Sequence, residues 1–441
     1  MMKRFLFALL FSLTVISPAH AALKIQSWTL DNGARVLFVE NHSIPILDIN
    51  IEFDAGSRRD PQGKSGAAEL TNAMLARGLR ASQAQFAEPA MSEAQISDAF
   101  ADLAAQRGGS AGSDRGGVTL RTLSSAAERN AAVTLTARIL AQPSFPENFL
   151  ERDKARTIAS IREDDTKPET IANKAFRRLL YGQHPYARQA TVESVQAITR
   201  DDLVKFHGEH YVANRAVISM IGDIDRAEAD RLARQLTVRL PQGAPLPSLP
   251  PVEILPAREE RIEHPASQAH VLTGMPALAR GDPDYFALIV GNYVLGGGGF
   301  VSRLTREVRE KRGLSYSVDS FFNPMAQPGP FEASFQTQRE QTTQALKVLR
   351  DTIGAFLRDG PTPAELNAAK ANLIGGFPLR IDNNRKILDN MAAIGFYKLP
   401  LDYLDTWTAN VAKVTIEDIK AAFQRKIALD KMSTVIVGNV K

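Results

Sequence analysis

The sequence predicts an α+β protein of two homologous domains, each a largely antiparallel sheet with helices packed on one face. Three observations lead to this fold class. Residues 198–224 and 414–440 align without a gap, 216 positions apart. Six prolines lie between the two copies, within residues 240–256. Both halves mix segments of strand-like alternation with segments of helical periodicity, and such a mixture is typical of α+β domains.

The chain begins with a predicted secretory signal peptide over residues 1–21. A basic pair precedes the apolar run 5–16, and Ala-His-Ala at 19–21 has the pattern of a cleavage site. The apolar run is shorter than the ~20 residues that a membrane-spanning helix needs. We therefore expect a mature protein that begins near Ala22, keeps no membrane anchor and is periplasmic.

Composition limits the function classes. The 441 residues are 44% hydrophobic and 23% charged, with a net charge of +4, as in ordinary soluble domains. There is no cysteine in the sequence, which excludes disulfides, thiolate nucleophiles and cysteine-ligated metals. Basic residues are interleaved with acidic ones, so the sequence gives little support to nucleic-acid binding.

The first domain should begin with strands and continue with helices. The turn signal Asp31-Asn32-Gly33 between two β-like runs predicts a hairpin. Apolar residues at helical spacing, flanked by Gly66 and Gly78, predict a buried helix. The predicted elements are a hairpin over 26–39, a strand over 46–53, and helices within 65–78, 93–106 and 126–141.

The repeat marks the end of each domain. Thr199 matches Thr415, and each is followed three residues later by an aspartate, which is a capping-box pattern that begins a helix. Each copy then runs into a β-rich segment that ends at glycine. Proline fixes φ and removes a donor, so the proline-rich segment predicts an extended linker. The predicted boundaries are 22–238 for the first domain, 239–257 for the linker and 258–441 for the second domain.

Four local patterns carry a family resemblance that covers nearly all of the mature chain. The first is the opening LDNGARVLFVENHSIP at 30–45 followed by FDAGSRRDPQGKSGAAEL at 53–70, and the second is LYGQHPYAR at 180–188. The third is the repeat at 198–224 and 414–440, and the fourth is LGGGGFVSRLTREVREKRGLSYSV at 295–318. With these patterns the chain resembles the pitrilysin/insulinase family of zinc metallopeptidases in its short bacterial form. The resemblance implies two homologous α+β domains that form one half of a clamshell.

In catalytic members of that family the first helix carries H-x-x-E-H, in which two histidines bind zinc and the glutamate acts as general base. The matching stretch here has Glu69 at the first histidine, Asn72 at the base and Ala73 at the second histidine. The alignment places Ser160 at the more distant glutamate ligand. All four positions are changed, so we expect this chain to bind no zinc.

The resemblance also implies a substrate-binding pair in the second domain. Family members carry an arginine and a tyrosine seven residues apart, which reach the active site and hold the substrate backbone and the oxyanion. Arg309 and Tyr316 have that spacing. Arginine is always charged and a tyrosine hydroxyl donates a hydrogen bond. Without the resemblance, a surface arginine followed by a packed aromatic would be the simpler interpretation.

Two other motifs have alternative interpretations. His207 and His210, with Glu209 between them, have a spacing that can bind a metal, although a solvated helix end is the simpler interpretation. No Lys-Ser/Thr follows Gly296–Gly299, so this run does not predict a phosphate loop. We expect a structural loop that faces the other domain. Residues 108–117, GGSAGSDRGG, are a candidate edge strand that departs from the Asn-Ala pattern of the family.

Three functional hypotheses remain open at this point. The first is a non-catalytic subunit of a heterodimeric periplasmic zinc peptidase, in which a homologous H-x-x-E-H partner holds the zinc and this chain contributes peptide binding. The second is a non-enzymatic peptide-binding or assembly protein of the same fold. The third is a self-sufficient metalloprotease with atypical ligands such as Glu69.

Overall fold

The structure is a computed structural model that describes residues 23–82 and 86–438. The predicted signal peptide, residues 1–21, lies outside the described residues. Within them, no helix has the length and apolar character needed to cross a lipid bilayer. The α+β class predicted from the sequence is confirmed, since two separate sheets are each accompanied by helices.

The first half is built on a six-stranded sheet of order β1-β2-β8-β3-β7-β6. Strands β2 and β8 run parallel, while the other neighbours are antiparallel. The predicted hairpin over 26–39 and the predicted strand over 46–53 are both present. The strands are β1 (Gln26–Thr29), β2 (Arg35–Glu40), β3 (Ile46–Phe53), β4 (Gly78–Leu79), β5 (Met91–Ser92), β6 (Gln106–Ala111), β7 (Gly116–Leu123) and β8 (Val217–Gly222), of which β4 and β5 form a separate small pair.

Eight helices accompany this sheet in the described part of the first half. The predicted helix within 65–78 forms over eight residues, and Gly66 precedes it with a φ of 100° that suits glycine. The helix predicted over 126–141 forms with those bounds. The helix predicted over 93–106 is shorter in the structure than in the prediction. The helices are α1 (Ala67–Met74), α2 (Glu93–Asp102), α3 (Ala126–Ala141), α4 (Glu147–Asp164), α5 (Pro168–Tyr181), α6 (Val192–Gln196), α7 (Arg200–His210) and α8 (Arg226–Thr237).

The second half has a five-stranded sheet of order β11-β12-β10-β13-β9, in which only β13 and β9 are parallel among the described strands. Two π-helical turns, Tyr293–Gly297 and Thr305–Glu310, interrupt the chain between α9 and β11. The strands are β9 (Glu259–Glu263), β10 (Gln268–Leu278), β11 (Val318–Phe322), β12 (Gly329–Gln338) and β13 (Ser433–Gly438), and the helices are α9 (Tyr285–Asn292), α10 (Thr342–Asp359), α11 (Pro363–Gly376), α12 (Asn384–Phe396), α13 (Tyr403–Lys413) and α14 (Ile416–Lys426).

The internal repeat extends further than the aligned segments. Helices α7 and α14 begin and end 216 positions apart, and so do strands β8 and β13. Helices α5 and α12 also begin at that offset. The predicted capping boxes are present, since the Thr199 hydroxyl accepts from the Asp202 amide at 3.3 Å and the Thr415 hydroxyl accepts from the Asp418 amide at 3.0 Å. The two halves are therefore two copies of one supersecondary plan.

Each sheet is covered on its second face by a helix from the other half. Helix α12 packs across β8 and β3, where Leu37, Val39 and Ile221 join the hydrophobic core of the second half. Helix α5 packs across β13 and β10, where Phe176 lies in one buried cluster with Val435. The sequence predicted helices on one face only. The exchange of α5 and α12 adds a second layer because neither sheet presents a polar outer face to solvent at those strands.

Close backbone packing accompanies this exchange at the end of α12. A Cβ atom at Gly395 would lie 2.6 Å from Val217 Cγ1 and 2.8 Å from Leu37 Cδ1. The Gly395 carbonyl also accepts a hydrogen bond from Arg35 at 3.2 Å. Valine has a restricted χ1 angle, so the Val217 side chain cannot easily move away from an added methyl group at position 395. Only glycine lets α12 approach the first sheet this closely.

A buried carboxylate joins the two halves. The Asp114 side chain, 4% exposed, lies in the turn between β6 and β7. Its Oδ1 accepts from Arg58 at 2.9 Å and from the Tyr186 hydroxyl at 2.6 Å. Its Oδ2 accepts from the Tyr397 hydroxyl at 2.9 Å and from the Ala326 amide at 2.8 Å. Four donors from four segments thus satisfy one buried charge.

The proline-rich segment runs along the first half without helix or strand over residues 241–258. Its carbonyls accept side-chain hydrogen bonds, from Arg59 to Pro247 at 2.7 Å and from His184 to Pro250 at 3.0 Å. The Val252 amide donates to Gln327 of the second half at 2.8 Å. The extended conformation predicted for the linker agrees with this course.

We expect Gly395→Ala to lower the free energy of unfolding by about 1–3 kcal/mol, because the added methyl group overpacks the contact with Leu37 and Val217. Urea denaturation followed by circular dichroism measures the change. Gly375→Ala is the matched control, since Gly375 lies in helix α11 with open space around its Cβ position. The control should be neutral or stabilising by up to about 1 kcal/mol. Equal effects of the two changes would contradict the packing argument.

We expect Asp114→Asn to destabilise the fold by about 3–5 kcal/mol, because it removes a buried anion from Arg58 and turns an amide N–H group toward donors. Thermal and urea unfolding of the mature chain measure the loss. Asp389→Asn is the control, since Asp389 forms an exposed pair with Arg385 at 3.3 Å and such pairs contribute about 0–1 kcal/mol. A loss at position 114 no larger than that of the control would show that the carboxylate does not hold the halves together.

Candidate functional site

The structure brings the predicted Arg309–Tyr316 pair into direct contact. Arg309 lies in the π-helical turn Thr305–Glu310, and Tyr316 lies in the loop that leads into β11. The centre of the Arg309 guanidinium is 4.7 Å from the Tyr316 ring centroid. The same guanidinium centre is 4.8 Å from the Phe300 ring centroid. Arg309 thus forms cation–π contacts with two aromatic rings.

Phe300, Val301 and Tyr316 form an exposed apolar patch beside Arg309. Tyr316 is 79% exposed, Phe300 is 70% exposed and Val301 is 67% exposed. We refer to Phe300, Val301, Arg309 and Tyr316 as the aromatic patch. Single exposed apolar residues are ordinary, but large contiguous ones indicate an interaction surface. The sequence did not predict the contribution of Phe300 and Val301, for which the only signal is their place beside the glycine run.

The glycine run positions the aromatic patch by packing against its own half. A Cβ atom at Gly296 would lie 2.2 Å from Ser320 Oγ and 2.6 Å from the Ser320 amide nitrogen, both in β11. The Asn292 side-chain amide donates to the Ser320 carbonyl at 2.8 Å. This hydrogen bond fixes the end of α9 on β11. The expectation that this loop faces the other domain was therefore wrong for Gly296, because its close contact is with β11.

Arg309 is the cation in this region that has no acidic partner among the described residues. Its neighbours have acidic partners: Arg303 pairs with Glu365 at 2.6 Å, and Lys311 and Arg312 share Glu307, each at 2.8 Å. The Arg309 guanidinium makes only ring contacts in the described part of the chain. Its N–H groups are consequently available to an external acceptor.

The zinc positions predicted as degenerate do not fit a metal. Asn72 is buried, and its amide donates to the Gly117 carbonyl at 2.9 Å and to the Tyr211 hydroxyl at 3.1 Å. Burial raises the pKa of Tyr211 to about 12, so this hydroxyl stays protonated. Asn72 therefore ties α1 to β7 and to Tyr211, the residue that follows α7, instead of facing a ligand. Ala73 and Glu69 are exposed on the same helix, and an alanine has no donor atom for a metal.

Ser160 also lacks a metal environment. It is exposed on α4, where its hydroxyl donates to Asp164 at 3.4 Å. Over residues 23–82 and 86–438, no group of three His, Cys, Asp or Glu side chains is close enough to share a metal ion. Tetrahedral zinc sites need three or four such ligands. The described side chains at the four zinc positions therefore do not fit a zinc ion, and no catalytic step through zinc is derived from them.

The histidines differ from the expectation of a solvated helix end, which was wrong. His207 and His210 are both buried, and their ring nitrogens lie 2.7 Å from the Leu140 carbonyl and 2.8 Å from the Asp54 carbonyl. Burial lowers the pKa of His207 to about 4. Both rings are neutral, and each donates a hydrogen bond to a different main-chain oxygen. The two rings therefore do not face a shared metal site.

Two further histidines make polar contacts. The His42 ring nitrogens lie 2.6 Å from Asp223 and 2.8 Å from Glu40. The two carboxylates raise the pKa of His42. His184 lies in the turn before Pro185, where its ring accepts from the Tyr186 amide at 3.1 Å.

Comparison with known proteins decides the family. A sequence model described as "Peptidase M16 inactive domain" matches residues 197–373. A crystal structure described as the peptidase M16 inactive domain from Pseudomonas fluorescens is 36% identical, with a TM-score of 0.88, covering 95% of this chain and 98% of that one. The chain belongs to the M16 peptidase family. The resemblance inferred from the sequence motifs is confirmed.

Other M16 relatives match along nearly the whole length. The non-peptidase homolog YmxG of Helicobacter pylori is 26% identical and covers 100% of this chain and 99% of its own. An uncharacterized zinc protease of Streptomyces coelicolor is 25% identical, covering 97% of this chain and 92% of its own. The two inactive-domain descriptions and the name non-peptidase homolog, together with the four substituted zinc positions, support a non-catalytic member of the M16 family.

We expect the stability of this M16 chain to fall in acid through His207. Its folded pKa of about 4 lies below the unfolded value of 6.5, so the unfolded state binds the proton first. The His207 contribution is complete above pH 6.5 and is lost as pH falls toward 4, by up to about 3 kcal/mol. Urea denaturation at pH 7.5 and pH 4.5 measures the decrease, which should be smaller in His207→Gln.

His42→Gln is the matched control for this pH dependence. Its raised pKa gives the opposite sign, because its contribution is present below pH 6.5 and is lost as pH rises through the folded pKa. The stability difference between wild type and His207→Gln should shrink in acid. A difference that stays constant from pH 7.5 to pH 4.5 would contradict a buried neutral imidazole.

Proposed function

We propose that this chain is the non-catalytic, substrate-binding subunit of a heterodimeric periplasmic zinc peptidase. The partner is a homologous subunit that carries H-x-x-E-H and holds the zinc. This chain presents Arg309 and Tyr316 to the partner's active site. The observation that carries the proposal is the half-buried Arg309, which contacts Tyr316 and lacks a carboxylate partner in the described chain, in a protein whose own zinc positions are substituted.

The contact geometry suits this role. Contacts with the Phe300 and Tyr316 rings restrict the direction of the Arg309 guanidinium without using its N–H groups. A guanidinium presents several donors in a fixed plane and remains charged at any physiological pH. A preorganised donor of this kind stabilises a substrate carbonyl as it develops negative charge. The Tyr316 hydroxyl, which has no partner in the described residues, supplies a second donor.

The rest of the aromatic patch supports association with another chain. Phe300 and Val301 expose most of their apolar surface to solvent. Aromatic residues and arginine are enriched at the centres of protein interfaces, where desolvation strengthens their contacts. Burial of this patch against a partner would bring Arg309 to the interface together with the residues that orient it.

One finding favours the second candidate, a non-enzymatic peptide-binding or assembly protein. The relative YmxG of Helicobacter pylori carries the name non-peptidase homolog. In that case Arg309 would have no oxyanion to bind, and no zinc-bearing partner would be required. The two candidates differ in whether the purified complex cleaves peptides and whether cleavage depends on Arg309.

The test begins with the complex isolated from the native periplasm through a tag on this chain. We expect a homologous H-x-x-E-H subunit in the complex, and we expect Arg309→Ala to lower kcat for peptide cleavage by about 10²–10³-fold, as loss of one preorganised oxyanion donor does. Arg312→Ala is the control, since Arg312 is an exposed cation paired with Glu307. Isolation without such a subunit, or unchanged kcat in Arg309→Ala, would favour the assembly protein.

A further inference from the structure

A cavity of the first half lies beneath the proline-rich linker. It has a volume of about 440 Å³, which is within the range of sites that bind small ligands, roughly 300–1,000 Å³. The linker forms one side, and α7 with the turns that precede α1 and follow α5 forms the other. None of the four zinc positions and no residue of the aromatic patch lines it. Its apolar lining includes Pro61, Phe206, Leu246, Pro247, Leu249 and Pro250.

The linker gives this cavity an exposed apolar wall. Pro247 and Pro250 are exposed, and Leu246 and Leu249 are half-buried. Neither leucine belongs to a hydrophobic core cluster of the described chain, although leucine is among the residues most often buried. The surface that the cavity leaves open to solvent is mostly apolar. An apolar ligand therefore gains free energy by covering this wall.

Hydrogen bonds hold the linker in place, so the cavity is preformed. The Asn214 side chain donates to the Gly243 carbonyl at 2.9 Å, and Arg59 donates to the Pro247 carbonyl at 2.7 Å. The Pro250 carbonyl accepts from two further side chains. The proline rings also fix φ at their own positions. A preformed site loses less conformational entropy on binding than a flexible one.

Most charged side chains at the cavity already have partners of opposite charge. The ion pairs are Arg58 and Arg59 with Asp54, Asp202 with Lys64, and Lys205 with Glu209. Arg188 is the exception, since no carboxylate over residues 23–82 and 86–438 forms an ion pair with it. The cavity therefore contains one cation that is not neutralised by direct contact.

Arg188 also has hydrogen-bond donors that the protein leaves unused. Its one hydrogen bond within the described chain is from Nη1 to the main-chain carbonyl of Asp60, at 2.8 Å. The Asp60 carboxylate interacts with Arg188 through space, but its two oxygens accept from the amides of Gly66 and Ala68, both at 2.8 Å. A guanidinium has five N–H groups, so several of them are available to an external anion.

Arg188 lies where this cavity meets a more open one. The neighbouring cavity, of about 740 Å³, has polar lining residues such as Ser65 and Thr191. Arg188 and Gln183 line both cavities, and Gln183 is exposed. A ligand whose apolar body lies under the linker would thus place its polar end at Arg188, on the side that opens to water.

We propose that the cavity beneath the linker binds a small amphipathic carboxylate with a planar apolar body. Arg188 binds the carboxylate through two parallel hydrogen bonds, and Leu246, Pro247 and Leu249 contact the apolar body. One free cation with Asp60 nearby matches a single negative charge better than a phosphate dianion. A rigid ring suits the rigid wall because neither loses much conformational entropy. This site goes beyond the proposed heterodimer and requires no partner subunit.

The probe is indole-3-acetate, titrated into the mature chain alone and followed by saturation-transfer-difference NMR at pH 7.5. We expect saturable binding with a Kd of about 1 mM or lower. Indole-3-acetamide has the same ring without the charge, and acetate has the charge without the ring. Each of these two should bind about tenfold more weakly or worse, because each lacks one of the two contacts.

Arg188→Gln tests the contact with the carboxylate. It should weaken binding of indole-3-acetate about tenfold and leave binding of indole-3-acetamide unchanged, a difference that a misfolded variant would not show. Arg178→Gln is the matched control, since Arg178 lines only the neighbouring cavity and pairs with Glu260 at 2.6 Å. The control should keep the affinity within about twofold of wild type.

Leu249→Ala tests the apolar wall without a change in charge, and it should weaken binding of indole-3-acetate about threefold or more. Ile254→Ala is its control, since Ile254 is an exposed residue of the same linker that does not line the cavity. The proposal is overturned by no saturable binding at about 10 mM probe, by equal binding of acid and amide, or by variants that act no more strongly than their controls. These measurements involve neither a partner nor Arg309, so the proposed heterodimer is judged on its own test.

Discussion

The carboxylate of Asp114 is the contact on which the arrangement of the two halves depends. A buried anion is strongly unfavourable unless every oxygen is satisfied. Its four donors come from the turn after β3, the turn after α5, the end of α12 and the loop between β11 and β12. These segments are distant in sequence and must arrive together for the charge to be accommodated. The β6–β7 turn is thereby held by hydrogen bonds from both halves.

Helix exchange complements this polar contact with an apolar one. Helices α5 and α12 occupy equivalent places in the two copies of the repeat, and each completes the core of the other copy. Neither half can bury its sheet fully without the other, because each sheet would expose the surface that the exchanged helix covers. The aromatic patch is consequently carried on a cooperative unit to which both halves contribute.

Local signals made much of this fold predictable, whereas long-range contacts did not. The capping boxes at Thr199 and Thr415, the hairpin of β1 and β2 and the helix α3 depend on neighbouring residues, so the sequence pattern indicates them directly. Asp114 carries no periodic signal that distinguishes it from a surface acid, since its partners lie 56 to 283 positions away. The burial of His207 and His210 was missed for the same reason. The contact of Arg309 with Tyr316 followed from their spacing in a recognised motif, but the addition of Phe300 depends on the fold of the glycine run.

Asn72 shows why a single substitution in α1 could not create the H-x-x-E-H chemistry in this chain. Its amide donates to a main-chain carbonyl of β7 and to the hydroxyl of Tyr211. A glutamate there would direct an acceptor at the Gly117 carbonyl, and the longer side chain would have to enter a space where Gly109 already lies close. A histidine placed at position 73 would then lack its neighbouring base. The packing of Asn72 therefore opposes a zinc motif on α1 in addition to the missing ligands, so a metal site could be engineered here only by changing the contacts of α1 and β6 together.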